Sequence, residues 1–372
     1  MAATLAYSAA LPVAQKTSYT PGDVMEWALS FPGQALVLNS IRVSGTLTVN
    51  FAAPPADVRY DSRIGVAGFF NQWSTTTSQQ GTIENRAYAP RWAAMQRAST
   101  TARADITTSA RLVPELTAPS DQATTTLLTN KGVAAGGRTT ANGIEFSFLA
   151  PIALNVAVGA GLAPPLLDYG TVGDTRIACR LVTPIEALYG PGFDAATTFS
   201  ISDLRLEYAT VAVGGARLPP VTLMTTVDVK HTVNSGNAQI SVSLPIQAVG
   251  VSCSFIRAGD ELTANAANTA LQRPPGISRV IFSFSDQTSG VLGFPLDTPE
   301  DILEAYLESF GAPLAKHDFT PQQLHAGKVF GIGLAFPSAG ALASSVGINV
   351  ESSITSGDPY SMFCFYRTAL TL

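Results

Sequence analysis

The chain has 372 residues, of which 22 are Lys or Arg and 27 Asp or Glu, so charged residues make up 13% where a soluble domain commonly carries about 25%. A hydrophobic fraction of 46%, with 18 Phe, 10 Tyr and 3 Trp, excludes disorder, which couples low hydrophobicity to high net charge. The net charge of -5 and singly scattered Arg leave no basic stripe to displace counterions from a phosphate backbone, which excludes direct nucleic-acid binding.

No segment reaches the ~20 uninterrupted apolar residues that span a bilayer, and MAATLAYSAALPVAQK at the start lacks the positive region of a secretory signal. These features predict a soluble chain made in the cytosol, and its length favours two domains. In chain order, VLNSIRVSGTLTVNF (37–51) is one of the short pieces that read as strands. ENRAYAPRWAAMQRAS (84–99) is a helix candidate with Tyr88, Trp92 and Met95 on one face, provided Pro90 opens it. Residues 99–143 are rich in small polar side chains and weakly periodic; a connection this long predicts an outward projection or a surface loop.

Strands resume at EFSFLAPIALNVAV (145–158) and DLRLEYATVAV (203–213), where Arg205 and Glu207 alternate with Leu204, Leu206 and Tyr208 as in a half-buried sheet. AVGGARLPPVTL (212–223) has paired glycines and paired prolines and is the expected domain boundary, giving units 1–215 and 216–372. TTVDVKHTV, AQISVSLPI, GVSCSFI, SRVIFSFSD, KVFGIGLAF and SMFCFYRTAL then follow as strands, bounded like those of a sandwich or barrel. Among them TPEDILEAYLESFG (298–311) predicts a helix, with Thr298 as N-cap, Pro299 in the first turn, acidic Glu300 and Asp301 at the positive end and Gly311 as the stop. Its Ile302, Leu303, Tyr306, Leu307 and Phe310 share a face, with Glu304 and Glu308 opposite.

Chemistry-bearing patterns are missing from the sequence. His231, His317 and His325 have no partner at a zinc-site spacing, and Cys179, Cys253 and Cys364 are odd in number, far apart and flanked by apolar or small residues; buried free thiols are expected rather than a disulfide framework or metal site. There is no G-x-S-x-G elbow, and the glycines at 136–137 lack the order of a phosphate-binding loop. Asp57, Asp61, Asp168, Asp174, Asp194, Asp203, Asp260 and Asp286 mostly adjoin Gly, Pro, Ser or Thr, and Asp358 precedes Pro359, which predicts turn chemistry. No catalytic residue, cofactor or metal ligand is therefore assigned, although a facing carboxylate pair in an all-β glycosidase leaves no signature in spacing.

Two segments carry more. RIGVAGFFNQWSTTTSQQGTIENRAYAPRWAAMQ (63–96) holds a Phe-rich turn at Phe69 and Phe70, then Trp73, a Q-G-x-I-E step at Gln80, Gly81, Ile83 and Glu84, and Tyr88, Pro90 and Arg91 at the helix. LQRPPGISRVIFSFSDQTSGVLGFPLDTPEDILEAYLESFG (271–311) holds Ile277, Arg279, Val280, Phe282, Phe284, Asp286 and Pro295 ahead of the capped helix from Ile302 to Phe310. With one segment in each half, the chain resembles the major capsid proteins of tailless icosahedral double-stranded DNA viruses of the double-jelly-roll lineage, especially those of membrane-containing bacteriophages.

The resemblance implies an all-β chain of two consecutive eight-stranded antiparallel jelly rolls, each with a short helix, and a structural subunit rather than an enzyme. It further implies pseudo-hexameric homotrimers that tile an icosahedral shell, with neighbouring trimers and a separate penton protein as partners. An internal membrane is a further possible partner, and the location is the virion after synthesis in the host cytoplasm. Within this fold Phe282 and Phe284 are expected to point into the second sandwich, with Ile302, Leu303, Tyr306, Leu307 and Phe310 covering one end. Trp73 and Trp92 are expected in cores, an intersubunit position being the alternative. The rival reading is a secreted or tail-associated carbohydrate-binding or glycan-cleaving β-sandwich, which needs a concave face with clustered Trp and paired carboxylates; three widely separated Trp count against it. Composition also leaves room for a lone adhesin or scaffold domain.

Overall fold

The computed structural model describes residues 5–51, 58–61, 64–100, 125–126, 137–140, 143–151, 156–157, 166–214, 218, 220–234, 238–243, 248–284, 291–295, 299–310, 329–335, 345–353 and 358–372. The first half opens with β1 (Leu5–Ala10), β2 (Ser18–Tyr19), β3 (Val24–Leu29), β4 (Gln34–Asn50), β5 (Arg59–Tyr60), β6 (Phe70–Thr77) and β7 (Gly81–Arg86). Helix α1 (Ala89–Thr100) is followed by β8 (Thr125–Thr126), β9 (Gly137–Thr140), β10 (Gly143–Pro151), β11 (Val156–Ala157) and β12 (Leu166–Asp168). Single-turn helices α2 (Tyr169–Val172) and α3 (Pro184–Ala187) flank β13 (Thr175–Leu181), ahead of β14 (Leu188–Tyr189) and β15 (Thr198–Ala212). The second half comprises β16 (Thr222–Val233), β17 (Ala238–Ser243), β18 (Ala248–Arg257), β19 (Ile277–Phe284), β20 (Val291–Pro295), α4 (Pro299–Ser309), β21 (Ile332–Ala335), β22 (Ser345–Ser352) and β23 (Tyr360–Thr371).

Every strand pair among these residues is antiparallel. The first sandwich stacks a seven-stranded sheet, β1-β15-β4-β10-β9 with β12 on β4 and β2 on β15, against β3-β13-β6-β7. The second stacks β11-β16-β23-β18-β21 against β17-β22-β19-β20, so the single strand expected over 145–158 is two: β10 stays in the first sandwich and the short β11 joins a sheet of the second. Eight strands, β16 to β23, come from the second half, and eight strands of six or more residues come from the first. Such paired sheets joined by long crossovers form two consecutive jelly rolls.

The alternation along β15 holds for Leu204 and Leu206, which are buried, and for Arg205, which is exposed, but fades at Glu207 and Tyr208, both half-buried, where the register against β4 shifts after Glu207. The register against β4 slips between Ser202 and Arg205, and Asp203 takes φ +53° inside that bulge, a conformation that Asp tolerates better than most residues. The first core gathers Val43, Leu47, Ile201 and Leu206 around Trp27, Phe69 and Ile177. Here Trp27 and Trp73, distant in sequence, stack with centroids 6.3 Å apart.

In the second core the paired central strands β18 and β23 are buried almost throughout. α4 closes this core with Ile302, Leu303, Tyr306 and Leu307 buried and Glu304 and Glu308 exposed. It lies unusually close to β21: a Cβ at Gly331 would fall 2.4 Å from the Tyr306 ring, and one at Gly333 2.3 Å from the Ser309 hydroxyl. Thr298 and Gly311, the expected cap and stop, lie outside the described residues. α1 begins later than its sequence suggested, because Glu84 and Arg86 still pair with Thr75 and Trp73 as the end of β7. Pro90 sits in its first turn, where its missing N–H costs nothing.

Candidate functional site

The arrangement richest in specific contacts is the junction where α1 leaves the first sandwich and enters the second. Trp92 and Met95, although in the first half of the chain, belong to the second core. The Trp92 ring stacks on Phe310 at 5.0 Å and tilts against Phe365 at 5.4 Å, while Tyr88 meets Phe363 edge-on at 4.9 Å. β23 is thus covered by the sandwich interior on one face and by α1 aromatics on the other. Aromatic pairs of this kind add about 0.5–1.5 kcal/mol each beyond the area they bury.

A polar ring surrounds these aromatics. Arg91 donates to the Ala270 carbonyl at 2.9 Å and to the Asn268 carbonyl, and its guanidinium lies 4.2 Å from the Phe363 ring centre. A cation in the first helical turn opposes the helix dipole; two carbonyls and an aromatic face from the other half offset that cost. The Thr269 hydroxyl donates to the Asp61 carboxylate, and Gly190 N donates to Ala264 O at 2.7 Å, so both connections cross between the halves. Glu84 and Arg86 form a buried ion pair at 2.9 Å, with Arg86 5.4 Å above Trp92. Just before the helix, Ala89 N donates to Asn71 Oδ1 at 3.1 Å and Tyr88 N to Asp228 Oδ2 at 3.2 Å. Burial pushes the Asp228 carboxyl up from its ordinary range, against the opposing pull of Arg86.

Beside the junction opens a cleft of about 250 Å³ whose rim includes Gln72, Tyr88, Arg180, Lys230, Glu261 and Leu262. Its ions satisfy one another, Lys230 with Glu261 at 2.6 Å and Arg180 with Glu186 at 3.7 Å. Gln72 and Leu262 both adopt positive φ, +53° and +55°. No nucleophile–base pair lines this cleft.

Among the described residues no three His, Cys, Asp or Glu side chains gather as metal ligands; His317 and His325 lie outside those residues. Burial keeps His231 below the ordinary imidazole range. All three cysteines are buried and free. Their sequence separation misleads, however: Cys253 and Cys364 face each other across β18 and β23 with sulfurs 3.6 Å apart. Burial raises the Cys253 and Cys179 thiols well above their usual range.

The aspartates are mainly occupied with the backbone and with neighbours. Asp168 accepts from Gly170 N at 3.2 Å, Asp194 from Ala196 N at 3.0 Å and Thr197 N at 2.9 Å, and Asp174 from the Tyr169 hydroxyl at 3.0 Å. Asp260 accepts from Gln272 Nε2 at 2.9 Å, and Asp358 pairs with Arg257. Asp61 departs from the turn expectation by reaching Thr269 in the other half. Asp57 and Asp286 lie outside the described residues.

Of the remaining sequence candidates, Phe282, Ile302, Leu303, Tyr306 and Leu307 are buried in the second core, with Phe310 partly buried against it. Trp73 is in the first core and Trp92 in the second. The side chain of Phe284 lies outside the described residues, as does most of 99–143. Sequence reasoning missed Asp228 and the carbonyls of Asn268 and Ala270. The available signal was Arg91 itself, a cation one residue after a helix-opening proline, where only a tertiary partner makes it favourable.

No protein-family model and no curated protein matches this sequence. Solved structures do match in fold. The Faustovirus major capsid protein aligns over 100% of this chain and 90% of its own at 10% identity, with a TM-score of 0.66. The Sputnik virophage structure aligns over 99% and 86% at 9% identity, TM-score 0.65. The mavirus major capsid protein aligns over 98% and 90% at 10% identity, TM-score 0.58. A likeness that spans both sandwiches and the junction between them, in chains sharing a tenth of their residues, is one of architecture: this chain has the double-jelly-roll fold of viral major capsid proteins.

Proposed function

We propose that the chain is a viral major capsid protein, a structural subunit that forms pseudo-hexameric homotrimers tiling an icosahedral shell. The observation that carries this reading is the interior junction. Aromatic stacking around Trp92 and the cross-half bonds of Arg91 and Asp61 join two similar jelly rolls into one two-lobed block. We take residues 1–215 and 216–372 as the lobes. Three such blocks give six lobes around a threefold axis by joining the first lobe of one copy to the second of the next, a closed heterologous ring.

The same reading makes the protein non-enzymatic, with its carboxylates used for turns, bulges and the junction. It puts the protein in the virion after synthesis in the host cytoplasm, with neighbouring trimers and a separate penton protein as partners, and takes the outward projection from the part of 99–143 outside α1, β8, β9 and β10. The described helices include none long and apolar enough to cross a membrane. The low charge content suits assembly, because few ions need desolvation when faces meet.

Light scattering of the purified protein tests the reading, with negative-stain electron microscopy of the same sample. The expected mass is about three chains of 38.8 kDa, unchanged between low and ~1 M salt because screening weakens mainly exposed ion pairs, and the expected outline is hexagonal. A mass near one chain in both conditions overturns the trimer.

A further inference from the structure

The first fifteen residues contain no charge, and β1 lies within them at the margin of the seven-stranded sheet. It pairs only with β15 among the described residues, from Leu5 opposite Val211 to Ala10 opposite Leu206. Leu5 to Ala9 are exposed on both faces of the strand. Tyr7 is 80% exposed, and with Leu5, Leu11, Val13 and Val24 it accounts for five of the six large hydrophobic side chains exposed among the described residues. Edge strands are ordinarily guarded by charges, prolines or bulges; LAYSAA has none of these. Exposed apolar side chains along an unguarded edge mark an interaction surface.

The opposite flank of the same sheet offers a receptor. β15 pairs one side of β4 at Gln34–Val37, and β12 pairs the other side at Ala35–Val37, so the order β1, β15, β4, β12 sets the two flanks about 14 Å apart at roughly 4.8 Å per strand. Against β12 lies a pocket of about 290 Å³ in which Leu166, Leu167, Leu218, Pro220, Val221 and Leu372 are joined by the polar Asp168, Thr171 and Thr371. One chain therefore carries an apolar projection on its first lobe and a largely apolar recess at the seam with its second, and separate complementary places of this kind are what a head-to-tail contact between identical copies needs.

We propose that the β1 edge on the first lobe of one copy docks at the recess of the next where β12 meets second-lobe residues, Tyr7 facing Leu218 and Leu372, and that this contact closes the trimer. The inference rests on the homotrimer reading and adds the segment that makes it. Because Tyr7 is exposed in the single chain, changing it leaves both cores intact.

Two variants test this in the full-length protein. Tyr7→Asp should keep the parent's circular-dichroism spectrum and still melt cooperatively, yet fall from about three chains to one by light scattering. The double variant Tyr7→Cys, Leu218→Cys should form intermolecular disulfides on mild oxidation, giving ladders to the trimer on non-reducing gels that neither single variant gives; the native cysteines are buried and do not interfere. A monomeric parent overturns the trimer and this contact together. A trimeric parent with an equally trimeric Tyr7→Asp and no paired cross-link overturns this contact alone. So does a Tyr7→Asp trimer that has lost only the parent's ability to form shells or to float with phospholipid vesicles, which would give the β1 face to another trimer or to a lipid surface.

Discussion

The two long helices serve the same core by different means. α4 belongs to the second half in sequence and in space, and its buried residues Ile302, Leu303, Tyr306 and Leu307 fall on one stripe with Glu304 and Glu308 opposite. α1 comes from the first half yet contributes Trp92 and Met95 to the second core, while Ala89 packs on the first. A helix that covers one core shows a single apolar face; a helix wedged between two is held on several sides, and its periodicity blurs. The contrast teaches that α4 is an element of a lobe, whereas α1 is the element that makes two lobes one subunit.

The most damaging test is Leu307→Asp in α4. An unpaired charge on that fully buried face costs several kcal/mol against a domain stability of about 5–15 kcal/mol, so the second sandwich should fail to fold, read as loss of soluble, cooperatively melting protein. Next comes Trp92→Ala in α1, expected to cost about 3–5 kcal/mol. Its signature should be faster amide exchange in β23, far along the chain, with the centre of β4 protected as before. Loss of protection in β4 instead would make α1 an ordinary helix of the first lobe.

A smaller effect concerns the carboxylate that holds the start of α1. Since burial raises Asp228 in the folded state, the folded protein binds more protons than the unfolded chain between the ordinary carboxylate value near 3.8 and the raised one. Stability contributed by this group therefore falls as pH rises through that window. Asp228→Asn keeps an acceptor for Tyr88 N and removes the charge, so its stability advantage over the parent should shrink as pH is lowered through the window. A pH-independent difference between their melting temperatures would contradict the assignment. Smallest is Glu308→Lys on the exposed face of α4, expected within about 0.5 kcal/mol of the parent by denaturant unfolding; a large loss would mean that α4 is rotated from the orientation described.

Much of this molecule was legible in its residues. The long strands such as β4, β15, β16 and β23 and the α4 stripe follow from local rules, since alternation, helical spacing and capping all act within a few residues of one another; β1, β3 and β13 were not read from the sequence. α1 was legible as a helix but not as a wedge, because Trp92 looks the same whether Phe310 and Phe365 or some nearer residue stacks on it. The contact of Cys253 with Cys364, the stack of Trp27 on Trp73 and the bond from Thr269 to Asp61 were invisible for the same reason.

What the sequence by itself determined are the longer strands, the two helices and their apolar faces, since periodicity and turn chemistry are properties of neighbours along the chain. Only the tertiary structure decided which faces meet. It buried β23 on both sides, gave Arg91 its carbonyls at Asn268 and Ala270, and left the equally apolar β1 bare at a sheet margin. The physical reason is that burial is non-directional and roughly proportional to apolar area: it specifies that a face must be covered, while strand order and crossover connections choose the partner that covers it.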